Sequence, residues 1–362
     1  MDERAATWLR AWDSQGHHRT GTAGDHAGAD WLTAEAMALG ATTVQEIFVL
    51  HRLDPQDAYL EVDGTRIPGV PVFDAPATSG ITGILGAEIA VATLGPGAVY
   101  TGEYRRLRQN AAHTGLVIQC AGAHPGLGLL NAEQFAAPYG APAIHVAAPV
   151  PIGRMGRLVS ESVRIRTEAR NVVVALKGRD PSRPPVVVMT PRSSWWQSTA
   201  ERGGGIVCWL ETLRALLASP PVCDVILTAN SGHELGHLGL GDFVARRPEW
   251  DRPDGAIWVH YGANIGAGGG ILSVVSPDDE LRAGMRDALT LAGQPPDIMA
   301  PKTLVPSGET RDIHRAGGRY VTLVGTNPWF HLPDDRYPST VDVPAIVRMA
   351  EGAAQFVVAL TR

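Results

Sequence analysis

The chain has 362 residues, 44% of them apolar and 19% charged, with a formal net charge of −6. That length allows a large core plus a second domain. Ordinary apolar content argues against disorder and against a membrane-embedded protein, and a negative balance with no Lys/Arg block interleaved with aromatics argues against nucleic acid as a partner. The start, Met1-Asp2-Glu3-Arg4, is polar and lacks the apolar core of a secretory signal. No stretch approaches ~18 uninterrupted apolar residues, so no membrane span and a cytoplasmic location are expected. Cys120, Cys208 and Cys223 are far apart in apolar settings, which reads as buried free thiols.

In chain order, residues 3–14 and 26–39 read as helices, the second capped by Asp25 and stopped by Gly40. Residues 43–52 read as a strand. Residues 57–75 read as a hairpin turning at Asp63-Gly64. Residues 76–155 are dense in Gly, Pro and Ala, with short strands and helices at 88–93, 103–112, 115–119 and 143–146, enough for a small α/β unit. A polar-alternating strand, 163–170, runs into an apolar one, 171–176, and a turn leads to another at 186–189. Thereafter helices (~204–218, ~233–246, 279–292, 343–360) alternate with strands (223–229, 255–261, 319–325). Such alternation implies a doubly wound, mostly parallel sheet with helices on both faces. The run Gly262–Gly270 does not open a helix in a βαβ unit and reads as a loop rather than a phosphate cradle.

The segment Val225-Ile226-Leu227-Thr228-Ala229-Asn230-Ser231-Gly232-His233-Glu234-Leu235-Gly236-His237 places three potential metal ligands where a strand ends. His-Glu-x-x-His is the zincin pattern, but a zincin needs both histidines inside a long helix. Here Ser231-Gly232 directly precede His233, Leu240 stands where the metzincin extension needs glycine, and Phe243 stands where it needs its third ligand.

A wider set of residues resembles the co-catalytic zinc aminopeptidase family, which includes glutaminyl cyclases. Glu201-Arg202-Gly203-Gly204-Gly205 is similar to that family's Asp-Asp/Asn-Gly-Ser-Gly segment, with Glu201 on the bridging aspartate. His233-Glu234-Leu235-Gly236 resembles Glu-Glu-x-Gly, placing Glu234 on a metal ligand and His233 on the general base. His260 falls on the aspartate of the Asn-Leu-Asp-Met strand, and His331, in Phe330-His331-Leu332-Pro333-Asp334-Asp335, on the last metal histidine. His18-Arg19-Thr20-Gly21-Thr22 and the segment Gly97–Val150 resemble the family's N-terminal segment and a protease-associated insert. The resemblance implies a zinc aminopeptidase-like core (1–60 and 156–362) with an inserted, smaller protease-associated α/β domain (61–155).

The pattern breaks at the first metal site, where Pro191-Arg192-Ser193 stands in place of His-x-Asp. Neither proline nor serine replaces an imidazole on zinc. The resemblance therefore implies one zinc ion, held by Glu201, Glu234 and His331, with an open position for water. His233 and His260 are the expected catalytic groups; each can instead ligate the metal, as can His237. Arg192, Trp196 and Trp329 are expected to contact substrate, while Arg192 and Arg202 also fit ordinary surface positions. His314 reads as a rim residue, Glu309 and Asp312 as substrate contacts outside the main set, and His17, His18, His26 and His51 as surface or entry-segment residues. The function implied is a single-metal hydrolase of an amide or related bond in a small molecule or peptide. A glutaminyl cyclase-type reaction and a non-catalytic binding descendant are the rivals, and a homo-oligomer stays open.

Overall fold

The computed structural model describes residues 1–250 and 254–362. The chain opens with α1 (Asp2–Asp13) and α2 (Ala23–Ala38). α1 turns Ala5, Trp8, Leu9 and Trp12 into the core. α2 is capped by Thr22, whose hydroxyl accepts from the Asp25 N–H, and not by Asp25 as the sequence suggested. Asp25 lies inside the first turn, and its buried carboxylate instead takes the Gly21 N–H, the Ser231 hydroxyl and the Arg192 guanidinium. A buried carboxylate needs such partners, and this need overrides the capping preference.

β1 (Thr43–Val62) is one 20-residue strand, so the predicted strand at 43–52 and the first hairpin arm are continuous. Asp63 and Gly64 turn at φ 50° and 76°, the left-handed pair favoured in two-residue hairpin loops. β2 (Thr65–Pro71) returns antiparallel to β1. β3 (Thr78–Ile84), β4 (Ile89–Leu94), α3 (Gly102–Gln109), β5 (Gly115–Cys120) and β6 (Ala143–Val146) fill the middle of the chain. β4, β5 and β6 are parallel, and β6 joins β2. They enclose a small core that includes Leu60, Ile89, Val117, Ile144 and Leu158. β7 (Met155–Leu176) then pairs with β1 from Thr43↔Val174 to Val62↔Gly156. The middle segment is thus joined to the rest by an antiparallel ladder that is irregular only between Pro55 and Asp57.

The second half runs β8 (Val186–Pro191), α4 (Gly204–Ala218), β9 (Val225–Asn230), α5 (Leu238–Ala245), β10 (Ile257–Tyr261), β11 (Leu272–Val275), α6 (Asp279–Leu291), β12 (Ile298–Met299), α7 (Thr310–Arg315), β13 (Arg319–Gly325) and α8 (Val343–Leu360). The sheet order is β12-β11-β13-β10-β8-β9-β7-β1-β2-β6-β5-β4, with β3 on β7. Strands β9, β8, β10 and β13 run parallel, flanked by antiparallel β7 and β11. Every residue of β8 and β9 is buried, as expected where helices cover both faces. The carboxyl ends of these parallel strands therefore open on one edge, the usual place for a ligand in such sheets.

The predicted helix at 233–246 is not one helix. His233–Leu235 forms a single short turn, Gly236 (φ 77°) and His237 (φ 61°) are both left-handed, and α5 starts only at Leu238. Gly232 (φ 84°) leads into this corner, where a Cβ would meet the Gly239 nitrogen at 2.8 Å, so glycine is required. α8 is long and apolar enough by length and composition to cross a membrane, yet Ile346, Ala350, Ala353 and Val357 on it are fully buried in the main core.

Two further histidines are fully buried. His18 stacks on Trp12 at 3.6 Å, and His145 accepts the Leu130 N–H through Nε2. Burial, chiefly, holds both at about 3, against an ordinary 6.5. The unfolded chain thus binds more protons than the folded one between those values. Stability present above pH ~6.5 is lost as pH falls through that window, on the order of 3 kcal/mol per group by pH ~4. Urea unfolding at pH 7 and pH 4.5 should show this loss. His145→Gln, which keeps an acceptor for Leu130, should lessen it; an identical pH dependence in the variant would exclude His145 as a contributor.

Candidate functional site

Glu201 sits in a π-helical turn, Thr199–Gly203, that feeds α4. The Ala200 and Glu201 N–H groups donate to the Asp335 carboxylate at 2.7 and 3.0 Å. Asn327 and Thr340 donate to the same carboxylate. The buried Asp335 thereby fixes the turn by answering N–H groups that a helix start leaves free. Its own pKa is pushed up to about 6, first by burial. Gly204 lets the turn press on the loop after β10, since a Cβ there would lie 1.8 Å from the Ile265 carbonyl oxygen.

His331 (φ 62°) arrives from the loop before α8. Its Nδ1 donates to the Leu129 carbonyl oxygen at 2.5 Å, and its Nε2 has no hydrogen-bond partner. That Nε2 is 3.4 Å from Glu201 Oε1. Trp196 Nε1 donates to the His331 carbonyl at 2.8 Å and so braces the residue from behind. Trp329 stacks on His124 at 4.9 Å.

Arg202 is buried, and its Nε donates to the Ser193 carbonyl at 2.8 Å. Its Nη2 is 2.7 Å from Glu201 Oε1, but out of hydrogen-bond alignment, so both Nη atoms remain without a hydrogen-bond partner. Burial pushes the Glu201 carboxyl up; Arg202 and then His331 outweigh it, and the net shift is downward.

The histidines complete the group. His237 Nδ1 is 2.7 Å from Asp312 Oδ2, and that carboxyl is held below its usual range because His237 outweighs burial. His237 Nε2 has no hydrogen-bond partner. His260 Nδ1 meets the hydroxyls of Thr310 and Thr322, leaving Nε2 unpartnered. His233 Nδ1 is unpartnered and 3.8 Å from Glu309 Oε1. Burial lowers both His233 and His260, the latter to about 3, with Arg202 adding to each. Burial raises Glu309 to about 7. Buried polar atoms are normally paired, so this many unpaired ones in one group mark a binding chamber.

Glu234 is spent differently. Its Oε1 accepts from the Thr20 N–H and hydroxyl, both at 2.7 Å, and its Oε2 from the Ser193 hydroxyl at 2.6 Å. The Thr20 oxygen accepts the Gly232 N–H, and the Ser193 oxygen the His233 N–H. Arg192 is fully buried and pairs with Asp25 and the Arg170 carbonyl. Neither arginine is at the surface. The structure therefore brings Glu201, Arg202 and His331 into contact, sets His233 beside His237 and Glu309 and His260 against Thr310 and Thr322, commits Glu234 and Arg192 to structural bonds, and sets Trp196 against the His331 carbonyl and Trp329 on His124. Thr20, Ser193 and Asp335 had no role in the sequence reading. Glu309 was read only as a substrate contact, and it lies 3.8 Å from His233.

The expected zinc does not fit the donors as they stand. Among the described residues no three His, Cys, Asp or Glu side chains group to hold an ion, and the third expected donor, Glu234, has both oxygens taken. A divalent ion at Glu201 Oε1, with a bond of ~2 Å, would lie within ~5 Å of Arg202 Nη2, a repulsion on the order of 6–7 kcal/mol at an effective dielectric of ~20.

No protein-family description matches the sequence, and no curated protein does. Solved structures do match in fold. BSAP, a zinc aminopeptidase from Bacillus subtilis, superposes with a TM-score of 0.77 at 15% identity over 100% of this chain and 95% of its own. An aminopeptidase from Aneurinibacillus sp. strain AM-1 gives 0.72 at 12% identity, covering 98% and 93%. Fimbriiglobus ruber glutaminyl cyclase gives 0.54 at 11% identity, covering 99% and 95%. At these identities the likeness establishes the fold: a mixed α/β structure on a large sheet, like that of these aminopeptidases.

Thr20 ties the N-terminal segment to both Glu234 and Gly232. Thr20→Val should cost about 2–4 kcal/mol, because it strands a buried carboxylate oxygen and a buried N–H. Urea unfolding measures it; a loss below ~0.5 kcal/mol would show that the hydroxyl is not needed.

Proposed function

We propose that the chain is a peptidase-like hydrolase that cleaves an amide or related bond of a small molecule or peptide in this chamber. The observation that carries the reading is the set of buried, unpartnered groups on Glu201, Arg202, His233, His260, Glu309 and His331 at the carboxyl edge of the sheet. A cavity of about 300 Å³ is lined by Tyr100, Tyr104, Glu133, Arg311 and others, on the side of Ser307, two residues from Glu309. Its Tyr100 hydroxyl, pushed up to about 12 by burial and Glu133, also feels Arg202.

Amide hydrolysis needs a group to receive charge from the carbonyl oxygen and a base for water. The free N–H bonds of Arg202 answer the first need, since fixed donors in a water-poor site stabilise a developing oxyanion strongly. His233 answers the second: water adds to the carbonyl carbon as its proton passes to His233 Nδ1, and Glu309 steadies the imidazolium. The C–N bond then breaks as the proton moves to the leaving nitrogen. Glu201 and His331 are left to orient the polar end of the substrate.

A screen of aminoacyl amides, acylated amino acids and short peptides in 18O water tests this. Incorporation of one 18O per turnover supports hydrolysis, while a product without it supports a cyclase. His233→Ala and Arg202→Met should each lower kcat/KM by at least 100-fold. Absence of turnover on every substrate, with ligand binding retained, would favour the non-catalytic descendant. In the active enzyme kcat/KM should rise with pH through ~7 as Glu309 ionises, and Glu309→Gln should remove that limb; a profile unchanged in the variant would rule Glu309 out.

A further inference from the structure

We infer that the Arg202 guanidinium stands in place of the metal ion of this fold, and that the neighbouring donors form a latent zinc site which this one positive charge keeps closed. The inference concerns ion binding, so it stands or falls separately from the hydrolase reading.

The position of the arginine carries it. Its Nε is anchored on the carbonyl of Ser193, the residue that falls on the aspartate of the lost His-x-Asp. Its Nη2 lies against Oε1 of Glu201, the residue that falls on the bridging aspartate. The guanidinium therefore spans the gap between two positions that the resemblance assigns to metal ligation. It is buried and ion-paired with Glu201 at 2.7 Å, while neither Nη atom has an aligned hydrogen bond.

The donors around it have the chemistry of a zinc site. Glu201 Oε1 and His331 Nε2 are 3.4 Å apart, and neither has a hydrogen-bond partner. Two ligands of a tetrahedral zinc at bonds of ~2.0–2.1 Å are separated by about 3.4 Å. His260 Nε2 and His233 Nδ1 are also bare and buried. Each is an imidazole nitrogen of the kind that selects zinc. The bond from His331 Nδ1 to the Leu129 carbonyl is the outer contact that a metal-binding histidine ordinarily makes. Two of these donors, Glu201 Oε1 and His331 Nε2, stand at ligand spacing, and the charge beside them is what repels the ion.

The test removes the charge and reads metal, not activity. Wild-type protein, Arg202→Gln, Arg202→Ser and Arg202→Lys are dialysed against micromolar zinc, then buffer, and the metal is counted by mass spectrometry. Circular dichroism checks folding. Gln keeps the side chain's length and Ser shortens it, so loss of folding in one leaves the other. Wild type and Arg202→Lys should hold less than ~0.1 equivalent. Arg202→Gln or Arg202→Ser should hold about one equivalent, at least 100-fold tighter than wild type. Adding His331→Ala to the binding variant should abolish it. A full equivalent retained by wild type, or no gain in a folded neutral variant, overturns the inference. So does a gain that survives loss of His331.

Discussion

A guanidinium taken out of water must find its counter-charge in the protein. Arg202 lies against Glu201, and that contact orders what surrounds it. Glu201 is held by the turn that Asp335 fixes. His331 faces the other side of the same carboxylate. His233 and His260 stay uncharged because burial, with the arginine near, disfavours more positive charge. The result is a near-neutral chamber with strong local dipoles. It differs from a carboxylate-rich metal centre in which anions gather around a cation. A free ammonium group would find little to hold it here. A carbonyl or other acceptor would find the arginine's unpaired N–H bonds.

Much of the scaffold was legible in the chain. β8, β9, β10, β13, α4 and α8 follow the apolar runs and their period, because both faces of a parallel sheet must be apolar. The Asp63-Gly64 hairpin followed from turn chemistry. What escaped the local pattern was set by distant partners. The α2 cap moved from Asp25 to Thr22 because Arg192 and Ser231 claim Asp25. The helix expected at 233 broke because Gly236 and His237 take left-handed angles to carry His237 toward Asp312. The short strands β11 and β12 have no period long enough to read.

The candidate site was legible as a list of positions and not as a set of bonds. Glu201, His233, His260 and His331 could be picked out by motif order, and the structure gathers them. Nothing in the sequence shows that Thr20 and Ser193 claim Glu234, since these residues are 214 and 41 positions away from it. Nor does it show the two arginines pointing inward. Arg192 is buried beside Asp25, and Arg202 faces the chamber, although only nine residues separate Ser193 from Arg202. Their partners, not their neighbours in sequence, decide which is structural and which is exposed to a ligand.

The β1–β7 ladder bears on how the molecule can move. Two strands of 20 and 22 residues run from under the chamber into the smaller unit. That ribbon ties the smaller unit to the main sheet over its whole length, and its one irregularity, between Pro55 and Asp57, is where it bends most readily. At the rim, Arg311 clasps Glu133 at 2.5 Å.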